Sequence, residues 1–253
     1  MSHTCTIEPY VIKYTPKEPK NVHPDSNFYG FDLDHTLIRP KNPKAIFAKA
    51  SDDWKLMVYG DEKESLTELI KIVTEDPTAQ IVIFTNQGGV ITLPRNSKSC
   101  QKFTGKIDLI LRHIETLPHG DVLLPRLWLY SSTMKPAALF PRSSHRHKKV
   151  VKPTKTQSTL PLLARSKNAE GKSELDLEEV KKKFDLMRKP KTGMVDELLK
   201  DLQKSDPSFE LDGIKWKYYC GDAAGRKSDF SDSDKVFAEA LGIVFKVPED
   251  VFI

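Results

Sequence analysis

Cysteine is scarce in this chain of 253 residues: Cys5, Cys100 and Cys220 stand far apart, and their number is odd. No CxxC pair and no Cys/His cluster exists, so the sequence offers neither a structural zinc site nor a disulfide framework. A reducing, intracellular setting is the default expectation. Long apolar runs are also missing. None approaches the roughly 20 residues that span a bilayer, and the first twenty residues lack the apolar core of a secretory signal. The only Gly-Lys-Ser is Gly171-Lys-Ser173. The position five before Gly171 is Ser166 and no strand pattern leads into it, so it is not a phosphate-cradling P-loop.

Charge is present but unevenly spread. The net charge of +5 depends on residues 135–169, which hold nine Lys/Arg and no acid; the remainder carries 31 basic and 35 acidic residues. The basic character is therefore local. Hydrophobic residues make up 38% and charged residues 30%, which suits a soluble globular core with an additional polar segment.

Periodicity places five strands and four helices. Residues 27–33 read as a short buried strand. Ser65–Thr74 reads as a helix, with Ser65 as its cap and Glu68 three residues on. Gln80–Thr85 is a β-branched apolar run of the kind found in central parallel strands. Lys98–Leu117 reads as a long amphipathic helix, Pro125–Ser131 as a strand and Thr192–Lys204 as a helix. Trp216–Cys220 and Ile243–Val247 read as strands flanking a helix over Ser233–Ala240. The alternation predicts an α/β fold with an open, Rossmann-like sheet of mainly parallel strands. Residues 1–26 read as a loose arm with one short strand, and 134–178 as a basic, disordered insert in a domain spanning 27–253. The apolar tail Asp250–Ile253 is expected to dock.

Polar clusters fall at the strand ends, where open α/β sheets place ligands. Asp32 and Asp34 alternate with apolar residues, and i, i+2 residues of a strand share a face. Two such carboxylates repel unless a cation intervenes, and an oxygen-only set suits magnesium. One carboxylate is then free to attack phosphorus while the other handles protons. Thr85 and Asn86 follow a buried strand, where a hydroxyl and backbone N–H groups serve a phosphoryl oxygen. Lys189, before Pro190, places a cation close to a helix start. Asp222, among small residues after a strand, suits a metal ligand. Each cluster alone also fits turn chemistry or a solvated basic loop; all four together, in this order, argue for a site.

Asp32-Leu-Asp-His-Thr36, Thr85, Lys189 and Gly221-Asp222 resemble the four motifs of the haloacid dehalogenase superfamily of phosphatases. The resemblance implies that type of fold with little or no cap domain. It also implies an aspartyl-phosphate on Asp32, Asp34 as general acid and then base, and Thr85 and Lys189 holding the phosphoryl group. Magnesium would be bound by Asp32, the Asp34 carbonyl and Asp222. Phe31–Ile38, Phe84–Gly88, Arg188–Met194 and above all Gly221-Asp-Ala-Ala-Gly-Arg226, Asp229-Phe-Ser231, Asp234, Phe237-Ala238, Leu241-Gly242, Phe245, Pro248-Glu249 and Phe252 resemble, more narrowly, the phosphatase domain of the polynucleotide kinase 3′-phosphatase family. That resemblance covers about 27–133 and 184–253. It implies removal of 3′-phosphate from DNA strand ends in repair; a nuclear monomer that binds no membrane is the accompanying expectation. Asn86, Arg188 and Arg226 would then face the substrate or brace the site, and without a P-loop no 5′-kinase activity is expected. His35 departs from the small residue usual at its position, and Asp229 has no assigned role.

Two other readings stay open on the residues alone. One is a phosphatase of the same superfamily acting on histidinol phosphate or a sugar phosphate; such enzymes often carry a Cys/His zinc loop, which this chain lacks. The other is a non-catalytic DNA-end-binding module, against which stand four filled catalytic positions. The basic stretch fits a nuclear signal, a DNA-binding arm or a solvated insert equally well.

Overall fold

The computed structural model describes residues 1–60, 62–137, 140, 177–210 and 213–253. Eleven strands are present among them: β1 His3–Ile7, β2 Val11–Pro16, β3 Asn27–Phe31, β4 Ile38–Arg39, β5 Lys55–Leu56, β6 Val58–Tyr59, β7 Lys63–Glu64, β8 Ala79–Asn86, β9 Leu127–Ser132, β10 Lys215–Cys220 and β11 Phe245–Lys246. The helices that matter for the site are α1 Ser65–Glu75, α2 Lys98–Thr116, α3 Leu177–Met187, α4 Gly193–Ser205, α5 Ser233–Ala240 and α6 Glu249–Phe252.

Seven strands form one sheet in the order β1-β2-β9-β8-β3-β10-β11. The run β9-β8-β3-β10-β11 is parallel throughout, and its members are the five strands expected from the sequence. Central strands buried on both faces have no polar side to alternate, and β8 accordingly buries seven of its eight residues. Helices cover both faces. Leu33, Leu69, Ile81, Phe103, Ile107 and Leu129 belong to one apolar cluster, and Phe28, Val82, Trp128, Leu198, Tyr219 and Phe237 to the other.

The reading of residues 1–26 as a loose arm is corrected. β1 and β2 add an antiparallel pair to the sheet at the β9 edge. Val11, Ile12 and Tyr14 are buried there, and Lys13 between them is buried as well. A lysine in the middle of this run hides its strand character, because its charge is balanced only by distant residues: Nζ donates to Glu197 of α4 at 3.0 Å and Asp201 at 3.3 Å.

One smaller difference concerns a cap. Ser65 does not cap α1; Glu64 occupies that position, and the Ser65 hydroxyl donates to the Leu37 carbonyl at 2.6 Å. Pro190 precedes α4 in a turn closed by Lys191 N donating to Arg188 O at 2.9 Å. The expected tail docking is seen: Phe252 is buried and stacks on Tyr59 with ring centroids 4.8 Å apart. The insert read at 134–178 lies outside the described residues except at 134–137, 140 and 177–178. No described helix is long and apolar enough to cross a membrane.

Candidate active site

The site is built from the loops that follow β3, β8 and β10, together with the turn before α4. Parallel strands bring these loops to one end of the sheet, as open α/β sheets do. β3 ends at Phe31, and Asp32 N donates to Cys220 O at 2.8 Å, so the first loop is pinned to the end of β10. Thr36 ties the same two loops again by accepting from Asp222 N at 3.1 Å. Tyr59 donates to Thr36 O at 2.8 Å, which links the docked tail to the first loop.

Lys189 is the centre of the cluster. Its ammonium has three protons to donate and all three have acceptors: Asp32 Oδ1 at 2.6 Å, Asp234 Oδ1 at 2.7 Å and the Tyr219 hydroxyl at 2.7 Å. The Lys189 side chain is 1% exposed. Burial pushes its pKa down, but Asp234 and Asp32 outweigh burial and hold it above the ordinary lysine range. Asn86 fixes the lysine's backbone, with its side-chain amide donating to Lys189 O at 3.1 Å and its oxygen accepting from Lys189 N at 2.9 Å. Asn86 therefore positions Lys189, a more specific task than the substrate contact expected of it.

Asp32, Asp222 and Asp234 each place a carboxylate oxygen within 4.8 Å of the others'. Burial, with the charges of Asp234 and Asp222 and against the attraction of Lys189, raises Asp32 well above the carboxylate range. Burial first, then Asp234, pushes Asp222 up to about 6. Three carboxylates against one ammonium leave a deficit of positive charge, and the donors are all hard oxygens. The set fits a divalent cation such as magnesium. Asp234 was part of a sequence pattern without a role. Here one of its oxygens holds Lys189 and the other accepts from Ala223 N at 3.0 Å. Gly221 makes room for it, since a Cβ there would lie 2.4 Å from Asp234 Oδ2.

Asp34 goes elsewhere. The strand has ended before it, so the face-sharing expected of i and i+2 does not extend to this pair. Asp34 Oδ2 accepts from Gln87 Nε2 at 2.6 Å and Oδ1 from Lys106 Nζ at 3.1 Å. Gln87 also donates to the buried Thr85 hydroxyl at 2.9 Å. Arg188 lies over Gly88, where a Cβ would stand 3.0 Å from its Nη1. Arg226 braces the Asp222 loop: it pairs with Asp229 at 2.9 Å and donates to Asp222 O at 3.2 Å. Asp229 closes the same loop by accepting from Ala224 N at 3.1 Å and Arg226 N at 3.0 Å. His35 adopts a left-handed backbone, φ 66°, uncommon for a residue with a Cβ, and meets Ile46 O at 3.3 Å.

Lys106 is the site residue that sequence reasoning missed, while Gln87, Tyr219 and Asp234 lay within recognised segments without a role of their own. Lys106 carried a signal, because it sits on the apolar stripe of α2 with Phe103, Ile107 and Ile110; a lysine there needs a buried partner.

The α/β sheet thus gathers at its strand ends three carboxylates around a lysine whose protons are all donated, a set with the charge and the oxygen donors for a divalent cation and an anionic group. Residues 27–252 match the family model described as polynucleotide kinase 3 phosphatase. The chain is 44% identical over 258 residues to the polynucleotide 3′-phosphatase of Saccharomyces cerevisiae (strain ATCC 204508 / S288c), covering all of this chain and 99% of that one. It is 42% identical to the polynucleotide 3′-phosphatase of Saccharomyces mikatae, over all of this chain and 96% of that one. A bifunctional polynucleotide phosphatase/kinase of Schizosaccharomyces pombe (strain 972 / ATCC 24843) is 28% identical over 96% of this chain but only 40% of its own length. The chain belongs to the polynucleotide kinase 3 phosphatase family.

Proposed function

We propose that this protein is a magnesium-dependent polynucleotide 3′-phosphatase of haloacid dehalogenase type, acting on DNA strand ends during repair in the nucleus. The observation that carries the reading is the end-to-end likeness to two polynucleotide 3′-phosphatases in a chain with a buried Asp32–Lys189–Asp234 cluster.

Asp32 attacks the 3′-phosphorus, and an aspartyl-phosphate bond forms as the bond to the 3′-oxygen breaks. Asp34 gives its proton to that oxygen, which leaves as the 3′-hydroxyl. Water then attacks the phosphorus, its proton returns to Asp34, and inorganic phosphate leaves with Asp32 restored. Lys189 fixes the attacking carboxylate and shares the charge of the arriving phosphoryl group. The Thr85 hydroxyl, linked to Asp34 through Gln87, would bind a phosphoryl oxygen. Asp32, Asp222 and the Asp34 carbonyl would hold the magnesium ion, which supplies positive charge to the reacting phosphoryl oxygens. Asp234 orients Lys189 from behind.

The test is phosphate release by the purified chain from a 3′-phosphorylated oligonucleotide, beside a 5′-phosphorylated one, histidinol phosphate and sugar phosphates. Preference for the 3′-end is expected. Equal or better hydrolysis of a small phosphomonoester contradicts the proposal, and so does binding to DNA ends without any turnover.

A further inference from the structure

We infer that Lys106 is a positioning residue for the proton-transferring carboxylate, Asp34; this rests on the role proposed for Asp34 above. Lys106 comes from the middle of α2, seventy-two positions along the chain, and lies on the apolar face of that helix. Its side chain is 8% exposed, against 37% for Asp34. Among the described residues its ion-pair partner is Asp34, and its ammonium also lies 5.6 Å from the Phe103 ring centroid. An ammonium buried beside Phe103 and Ile107 is costly unless its charge is met. A core of this kind is more simply filled by an apolar side chain. The lysine therefore has a reason outside packing, and its Nζ points at one reacting group.

The geometry supplies that reason. A carboxylate after the end of a strand has two free side-chain torsions and no neighbour in the sheet to fix them. Lys106 takes one Asp34 oxygen and Gln87 takes the other, at 3.1 and 2.6 Å. Gln87's second N–H goes to Thr85 Oγ1 at 2.9 Å. Lys106, Asp34, Gln87 and Thr85 thus form one chain of contacts from α2 to the end of β8. It sets the carboxyl group relative to the position proposed for the phosphoryl group. Proton transfer to a leaving oxygen depends on such placement. The chemistry predicts where the loss shows. A 3′-oxygen is a poor leaving group and needs the proton, whereas p-nitrophenolate leaves without it.

The experiment measures first-turnover rates and steady-state constants for Lys106→Met, Lys106→Arg and Gln87→Leu on a 3′-phosphorylated oligonucleotide and on p-nitrophenyl phosphate. Methionine keeps the volume and removes the charge, and thermal melts check the fold of each variant. Lys106→Met is expected to slow the first turnover of the oligonucleotide roughly 10- to 100-fold with KM unchanged. Release of p-nitrophenol in the first turnover should change by less than about threefold. Lys106→Arg should recover part of the loss, and Gln87→Leu should repeat the pattern through the other oxygen. Equal slowing of both substrates in both the Lys106 and Gln87 variants marks a merely structural role and overturns the inference. Unchanged rates in Lys106→Met, or a change confined to KM, overturn it too. A wild-type chain inert on the oligonucleotide overturns the proposed function and this inference together; an active wild type with an unaffected Lys106→Met overturns the inference alone.

Discussion

Lys189 distributes its three protons among Asp32, Asp234 and Tyr219, and this arrangement separates the proposed nucleophile, Asp32, from its supports. Replacing Asp32 by Asn keeps the shape and removes the carboxylate proposed to attack phosphorus. Asp32→Asn should stay folded, as circular dichroism and a thermal melt would verify, and lose several orders of magnitude in kcat. Undiminished turnover would remove Asp32 from the mechanism. The three-carboxylate group makes a second prediction. A chelator should abolish activity and magnesium restore it, while calcium, with longer bonds and more ligands, should not. Magnesium should also raise the melting temperature of the inactive Asp32→Asn protein less than that of the wild type, since one ligand has lost its charge. At this scale most of the site was legible: Asp32, Asp34, Thr85, Lys189 and Asp222 all carry recognisable neighbours. Asp234, Tyr219, Gln87 and Lys106 act through contacts between distant elements. No local pattern assigns these a role, apart from a charged residue on an apolar stripe.

Among the elements, α4 and β2 are tied by a buried ion cluster. Lys13 of β2 is buried between Glu197 and Asp201 of α4, and the Tyr130 hydroxyl of β9 donates to Asp201 at 3.0 Å. α4 directly follows the turn that presents Lys189, so this clamp also steadies the site. Lys13→Met removes the cation that Glu197 and Asp201 share and leaves each acid with one exposed lysine, Lys200 and Lys204, at 2.6 Å, so it should cost about 1–3 kcal/mol in urea unfolding at neutral pH. Burial pushes Glu197 up, but Lys200 and Lys13 outweigh it and hold its pKa below the ordinary value. A depressed carboxyl contributes stability above its unfolded pKa and loses it as pH falls through the folded one. The gap between wild type and Lys13→Met should therefore be widest near neutrality and narrow below about pH 4. A constant gap across that range would show that the clamp is not electrostatic. The same residues explain what the sequence concealed. The five parallel strands are apolar enough to read directly, but β2 is interrupted by Lys13 and ends at Pro16, so it passes for a polar arm until its distant partners are known.

For the molecule as a whole, the parallel sheet and its strand-end site account for hydrolysis, and the basic stretch 135–169 lies almost wholly outside the described residues. Deleting residues 138–172 should leave hydrolysis of a small chromogenic phosphomonoester unchanged. DNA binding should weaken, and the slope of log affinity against log salt should fall by roughly 0.7–0.9 per lost phosphate contact. Affinity and slope equal to those of the full chain would assign the stretch no part in binding. Labelled ATP with 5′-hydroxyl DNA should yield no labelled strand, because the sequence has no P-loop to hold the nucleotide. The central claim is that Asp32 accepts the phosphoryl group from a 3′-end, and rapid-quench single turnover tests it most directly. With an oligonucleotide carrying a labelled 3′-phosphate, label should appear transiently on the protein, map to Asp32 and vanish in Asp32→Asn. Label on any other residue, or release of labelled phosphate by Asp32→Asn at the wild-type rate, would contradict the account.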